Sequence, residues 1–235
     1  YACVAQFAGT GSIAIVDISD PADPVVVSQT IDAQVNGDCQ FTADGNYLFA
    51  GAYIGAGPTI PGVGDTPLGI GSLQSNGLNV WDVSDKANPV HVLHSPTGTY
   101  HTLMLHTTPQ NETFLVQAYS GDIYLWNPAV PSLEVVNTVT PMDHDMWVAR
   151  HPITNMTLLY SGADSGFVIY DFTDPRNLVE LGIWTPDDSL PAGSAGWHRQ
   201  ATVDQLVDGK AIVVVAGEAC DAGSRSRCSS GSERS

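Results

Sequence analysis

The chain has 235 residues, 43% of them hydrophobic and 14% charged, with 25 acidic against 8 basic side chains and a net charge of −17. That balance excludes a nucleic-acid partner, because binding phosphates takes Lys and Arg to displace counterions, and no run approaches the roughly 18 apolar residues of a membrane helix. The acidity is first of all a means of solubility; it also suits an extracellular or high-salt setting, or surfaces that meet cations.

The sequence opens without Met and without a charged-then-apolar leader, which reads as a processed or partial chain. An apolar run at 2–8 reads as a strand, and "SIAIVD", ending at Asp17, as the next. "ISDPADP" then makes a hairpin into a strand near 25–30: Asp and Ser side chains bond nearby amides and Pro fixes φ. A strand starting near Asp38 is followed by one at 46–52, and then by an insertion, 54–77, with seven Gly and three Pro. It reads as a lid or contact loop. "LNVWD" ends at Asp82 and leads to a strand at 90–94. Strands follow from His101, at 113–118, in "DIYLWN" to Asn127, and at 133–139. The pattern repeats from His144, at 157–162, in "GFVIYD" to Asp171, and at 179–184. After a second insertion, 185–197, strands begin near His198 and at 210–216.

Aligned on the polar residue that ends each run, Asp17, Asp82, Asn127 and Asp171 lie 65, 45 and 44 residues apart, the first interval lengthened by the 54–77 insertion. Each period holds four short runs rich in Val, Ile, Leu, Tyr and Trp, bounded by Gly, Pro, Asp or Asn. Nothing sustains a helical period. Four strands in about 44 residues is the pattern of a propeller blade. The fold class predicted is therefore all-β: a propeller over 1–218, with a partial blade 1–30, blades 38–95, 100–140 and 143–185, and a partial blade 197–218. Residues 219–235 read as a disordered tail or the start of a truncated Cys-containing module.

"IAIVDISDPADPVVV", "LNVWDVSDKANPVHV" and "FVIYDFTDPRNLVEL" resemble the LVIVD repeat of secreted β-propeller proteins. The resemblance implies that about four blades here belong to a ring of about six or seven; a closed four-bladed ring, sealed by pairing the two ends, is the alternative. It specifies a fold far better than a function. "WNPAVPSLEVV", 126–136, lacks the Asp-x-Ser-Asp-Pro turn.

Asp38, His101, His144 and His198 align at the start of the first strand in four successive blades, which predicts that they line the mouth of the central channel. Two readings follow. Three imidazoles and a carboxylate form a donor set for zinc, copper or iron, with Asp145 as the candidate acceptor for the other ring nitrogen of His144. Alternatively, repeat duplication placed a structural His in each blade. Trp147 and Trp197, near that mouth, are candidate ligand contacts. The aromatics Trp81, Tyr124, Trp126, Phe167 and Tyr170 are expected between blades, and His91, His94, His106 and His151 on the surface. Calcium at the turns "DISDPADP" and "DVSDKANP" is a further metal reading, although their spacing is not that of an EF-hand.

Cys3, Cys39, Cys220 and Cys228 include no CxxC pair. Their even number permits two disulfides in an oxidising compartment, with Cys220–Cys228 the candidate pair. Asn111 and Asn155 stand in sequons that a eukaryotic secretory route would glycosylate. No nucleophile elbow, P-loop or dinucleotide fingerprint occurs. The function expected is an extracellular scaffold binding a protein or glycan through its top face. The alternative is a metal-dependent oxidoreductase or hydrolase built on the channel histidines.

Overall fold

The computed structural model describes residues 1–5, 12–31, 38–52, 77–96, 102–118, 120–140, 145–163, 166–184, 197–202 and 206–217. They form two compact units, Tyr1–Thr140 and Pro141–Ser235. The division falls between the predicted blades 100–140 and 143–185.

In the first unit, β1 (Ala2–Ala5), β2 (Ser12–Asp17) and β3 (Val25–Ile31) form one antiparallel meander. The second blade runs β4 (Cys39–Phe41), β5 (Tyr47–Ala52), β6 (Gly77–Asp82) and β7 (Val90–Ser95). The third runs β8 (Leu103–Thr107), β9 (Thr113–Gln117), β10 (Asp122–Asn127) and β11 (Ser132–Thr138). The second unit holds β12 (Asp145–Arg150), β13 (Thr157–Ala163), β14 (Gly166–Asp171) and β15 (Val179–Trp184). A two-stranded sheet, β16 (Trp197–Thr202) with β17 (Val213–Gly217), completes it. All pairings are antiparallel between chain neighbours, which costs little loop-closure entropy.

The apolar runs are nearly continuous because a middle strand is buried on both faces. Leu48, Ala50 and Trp81 of the second blade pack against Ile13 and Ile15 of the first. Phe49, Leu78 and Val80, pointing the other way, pack against Leu103, Leu115 and Trp126 of the third. In the second unit Leu158, Tyr160 and Phe167 form the core, with Val213 of β17 packed on it. Each large side chain buried this way contributes about 1.5–3 kcal/mol. The last strand of each blade lies at the periphery: Val25, Val26, Val90, Val135 and Val179 are each more than half exposed.

Local chemistry fixes the corners. In the hairpins leaving β2, β6 and β14, the first Asp accepts from the amide two residues on: Ser19, Ser84 and Thr173, each at 2.9 Å. A second Asp repeats the bond to Ala22, Ala87 and Arg176. In the third blade, which lacks the full signature, Asn127 still accepts from Ala129 at 3.0 Å. Gly77 and Gly121 precede or begin the third strand of their blades at φ +117° and +69°, and a Cβ on either would collide with the carbonyl of Ser95 or Val139. The turns between first and second strands need a left-handed residue, supplied by Gly45, Asn111 and Asn155 (φ 72°, 64° and 59°). That requirement accounts for an exposed Asn at both sequons, since Asn adopts this region more readily than most residues.

Every pairing of third and fourth strands carries a bulge: at Ile15/Val16, Val80/Trp81, Ile123/Tyr124 and Ile169/Tyr170. A bulge inserts one residue and re-aims the side chains beyond it.

Candidate functional site

The end of the second blade where Asp38 stands also carries both ends of the 53–76 connection. The Asp38 carbonyl accepts from the Gly51 amide at 3.0 Å, and Ala52 pairs with Gly77. The Asp38 carboxylate accepts from the amide of Cys39 at 2.9 Å. Asp145, 8% exposed, makes the same bond to Met146 at 2.8 Å. Its strand partner is Gly162, the counterpart of Gly51. In the third blade Thr102 holds this place, its carbonyl accepting from Ala118 at 3.2 Å. The register therefore matches Asp38 with Thr102 and Asp145, one residue after His101 and His144. This corrects the alignment drawn from sequence: strand side chains alternate, and a one-residue offset reverses the face a side chain takes. His101, His144, Cys220 and Cys228, residues 54–76, 185–196 and 219–235, and the side chains of Trp197 and His198 lie outside the described residues. Among the described residues, no three His, Cys, Asp or Glu side chains converge on a metal-sized space.

Neighbouring blades of the first unit are fastened at this end. The Gln40 amide nitrogen donates to the Leu103 carbonyl at 3.1 Å, and its oxygen accepts from the Leu105 amide at 2.8 Å. One side chain thus mimics a strand pairing between β4 and β8. On the other flank a disulfide joins Cys3 of β1 to Cys39 of β4, with Cα atoms 6.2 Å apart. Trp147 takes the place of Gln40 in its own blade, pairing with Tyr160, and packs partly buried against the Leu158, Tyr160 and Phe167 cluster. A groove of 290 Å³ runs beside that cluster, lined by His151, Pro152, Leu181 and Ile212 among others.

The LVIVD repeat family matches residues 1–32 and 72–97, the stretches that hold β2, β3, β6, β7 and their double-Asp hairpins. The chain carries LVIVD repeats. No curated protein matches it in sequence. Among solved structures, a protein from Lactobacillus plantarum is similar at 14% identity and a TM-score of 0.58, covering 92% of this chain and 61% of its own. A functionally unknown protein from Desulfotomaculum acetoxidans is similar at 10% identity and a TM-score of 0.52, covering 90% of this chain and 58% of its own. These likenesses speak for the fold, a β-propeller, and the LVIVD chain spans about three fifths of the length of either structure.

In the LVIVD hairpins the acid oxygens are engaged with amide hydrogens. A bond from the Ser19 hydroxyl, then its amide, holds the Asp17 carboxyl below its ordinary range, and the Ser84 amide and hydroxyl do the same for Asp82. This is turn chemistry.

His91 and His94, expected on the surface, are partly buried on β7 and meet Asn79 of β6. Asn79, 0% exposed, points its Oδ1 at His91 Nε2, 3.0 Å away, and at His94 Nδ1, 3.2 Å away. Trp81 lies against the His91 ring, with centroids 5.4 Å apart. Burial pushes the His91 pKa down and the His94 charge pushes it further, opposed by a backbone hydrogen bond at Leu93. Burial lowers His94 as well. Both rings are neutral in the fold at neutral pH, whereas in the unfolded chain they protonate near pH 6.5. Stability contributed by the neutral pair is therefore present above about pH 6.5 and lost as pH falls below it. Urea midpoints measured from about pH 7.5 down to about 5 should fall more steeply for the wild type than for His91→Gln/His94→Gln. Parallel profiles would show that the pair does not titrate with folding.

Proposed function

We propose that the protein is an extracellular interaction scaffold, secreted or at the cell surface. It binds a protein or a glycan through the blade end that carries Asp38 and the 53–76 connection. The observation that carries this reading is the fastening of adjacent blades at that end by Cys3–Cys39 and by Gln40. A disulfide persists in oxidising compartments, and rigid blades present their connections to a partner at low entropic cost. The connection itself is Gly- and Pro-rich, the composition of a contact loop.

The test replaces residues 54–76 with a short Gly-Ser link and compares binding on glycan and secreted-protein arrays. The variant should keep the wild-type melting temperature and lose the bound partner. Stoichiometric transition metal in the purified protein, with turnover of a small substrate that His101→Ala/His144→Ala/His198→Ala abolishes, would establish the enzyme reading instead.

A further inference from the structure

We propose that the second blade holds a site for a late first-row divalent cation, copper or zinc, formed by His91 Nε2, His94 Nδ1 and Asn79 Oδ1. The donors converge at 3.0 and 3.2 Å from the shared Asn oxygen. Ligands bound to one such ion at about 2.0–2.2 Å stand roughly 2.9–3.5 Å apart, across octahedral to tetrahedral angles. Imidazole nitrogen suits these metals, and the acidity of the chain, −17 overall, favours cation capture.

Unmet polar atoms in the cluster point the same way. The amide nitrogen of Asn79 and Nε2 of His94 are buried and have no hydrogen-bond partner, so the trio is not explained as a satisfied internal network.

The repeat does not require these residues. By register Ala14 and Val168 occupy the place of Asn79, Val26 and Glu180 that of His91, and Gln29 and Ile183 that of His94. The bulge at Val80/Trp81 recurs at the same place in the β2–β3 and β14–β15 pairings, but here it brings two histidines three positions apart onto the face of Asn79. Both rings are partly exposed, which gives an ion a path and leaves coordination positions for water or a partner group.

The experiment titrates Cu²⁺ and Zn²⁺ into the chelator-stripped full chain by calorimetry, with electron paramagnetic resonance of the Cu²⁺ form. Three variants are compared with the wild type: His91→Gln/His94→Gln, His101→Gln/His144→Gln/His198→Gln, and Asn79→Asp. One equivalent should bind with nitrogen hyperfine structure from two imidazoles. It should be lost in the first variant and kept in the second. In Asn79→Asp, affinity should rise about tenfold, because a carboxylate adds charge to the site. No binding by the wild type, or undiminished binding by His91→Gln/His94→Gln, would overturn the proposal. If that variant does not fold, Asn79→Asp decides: unchanged affinity overturns it and tighter binding supports it. A scaffold without this metal would still bind its partner through 54–76, so the two proposals fail separately.

Discussion

Replacing Cys3 and Cys39 with alanine should lower the thermal midpoint of the first unit by roughly 10 °C, at about 2–4 °C per kcal/mol for a chain of this size. The bridge closes a loop of sequence separation 36. The chain-entropy account then gives a contribution of about 4 kcal/mol, since the crosslink denies the unfolded chain most of its separations. The bond also clamps β1 onto β4 between two different blades, where one face of the seam is the Ile13, Ile15, Leu48 and Trp81 cluster. Calorimetry should show two things: the wild type under strong reductant melts with the double-alanine variant, and that variant no longer responds to reductant. Reductant insensitivity of the wild type would mean that the cysteines are not paired, and it would remove the main support for an extracellular setting.

That bridge illustrates what a sequence withholds. Four cysteines permit three pairings, and proximity along the chain favours Cys220–Cys228. Cys3 and Cys39 are 36 residues apart and meet because consecutive blades lie side by side. By contrast, the strands were readable, since β-branched runs of five to eight residues bounded by Asp, Pro and Gly leave few alternatives. The double-Asp hairpins were readable too, and their bonds recur at Asp17, Asp82 and Asp171.

Register was not readable. Matching Asp38 to His101 and His144 by residue character was off by one, because what defines the position is which amide bonds which carbonyl: Gly51 to Asp38, Ala118 to Thr102. The Asn79 cluster was hidden for a related reason. In an ideal strand His91 and His94 would point to opposite faces. The bulge puts them on the same one, and a bulge has no fixed residue signature.

The second large effect is expected at Trp126. Its indole, 4% exposed, stands edge-on to Tyr47 and Phe49 of the preceding blade, with centroids at 5.2 and 5.1 Å. Both contacts are aromatic geometries that add to area burial, so Trp126 carries much of the seam between the second and third blades. Trp126→Ala should cost about 3–5 kcal/mol in urea unfolding, through lost burial and the cavity it leaves. Trp126→Phe should cost well under that. The indole nitrogen is buried with no hydrogen-bond partner, and an unmet donor carries a penalty of about 1–3 kcal/mol that phenylalanine removes. This gain offsets much of the volume lost with the smaller ring. Equal costs for the two substitutions would show that the nitrogen has a partner in solution. A small cost for Trp126→Ala would show that the seam does not rest on this side chain, and that blades in this unit are held chiefly by Gln40 and the disulfide.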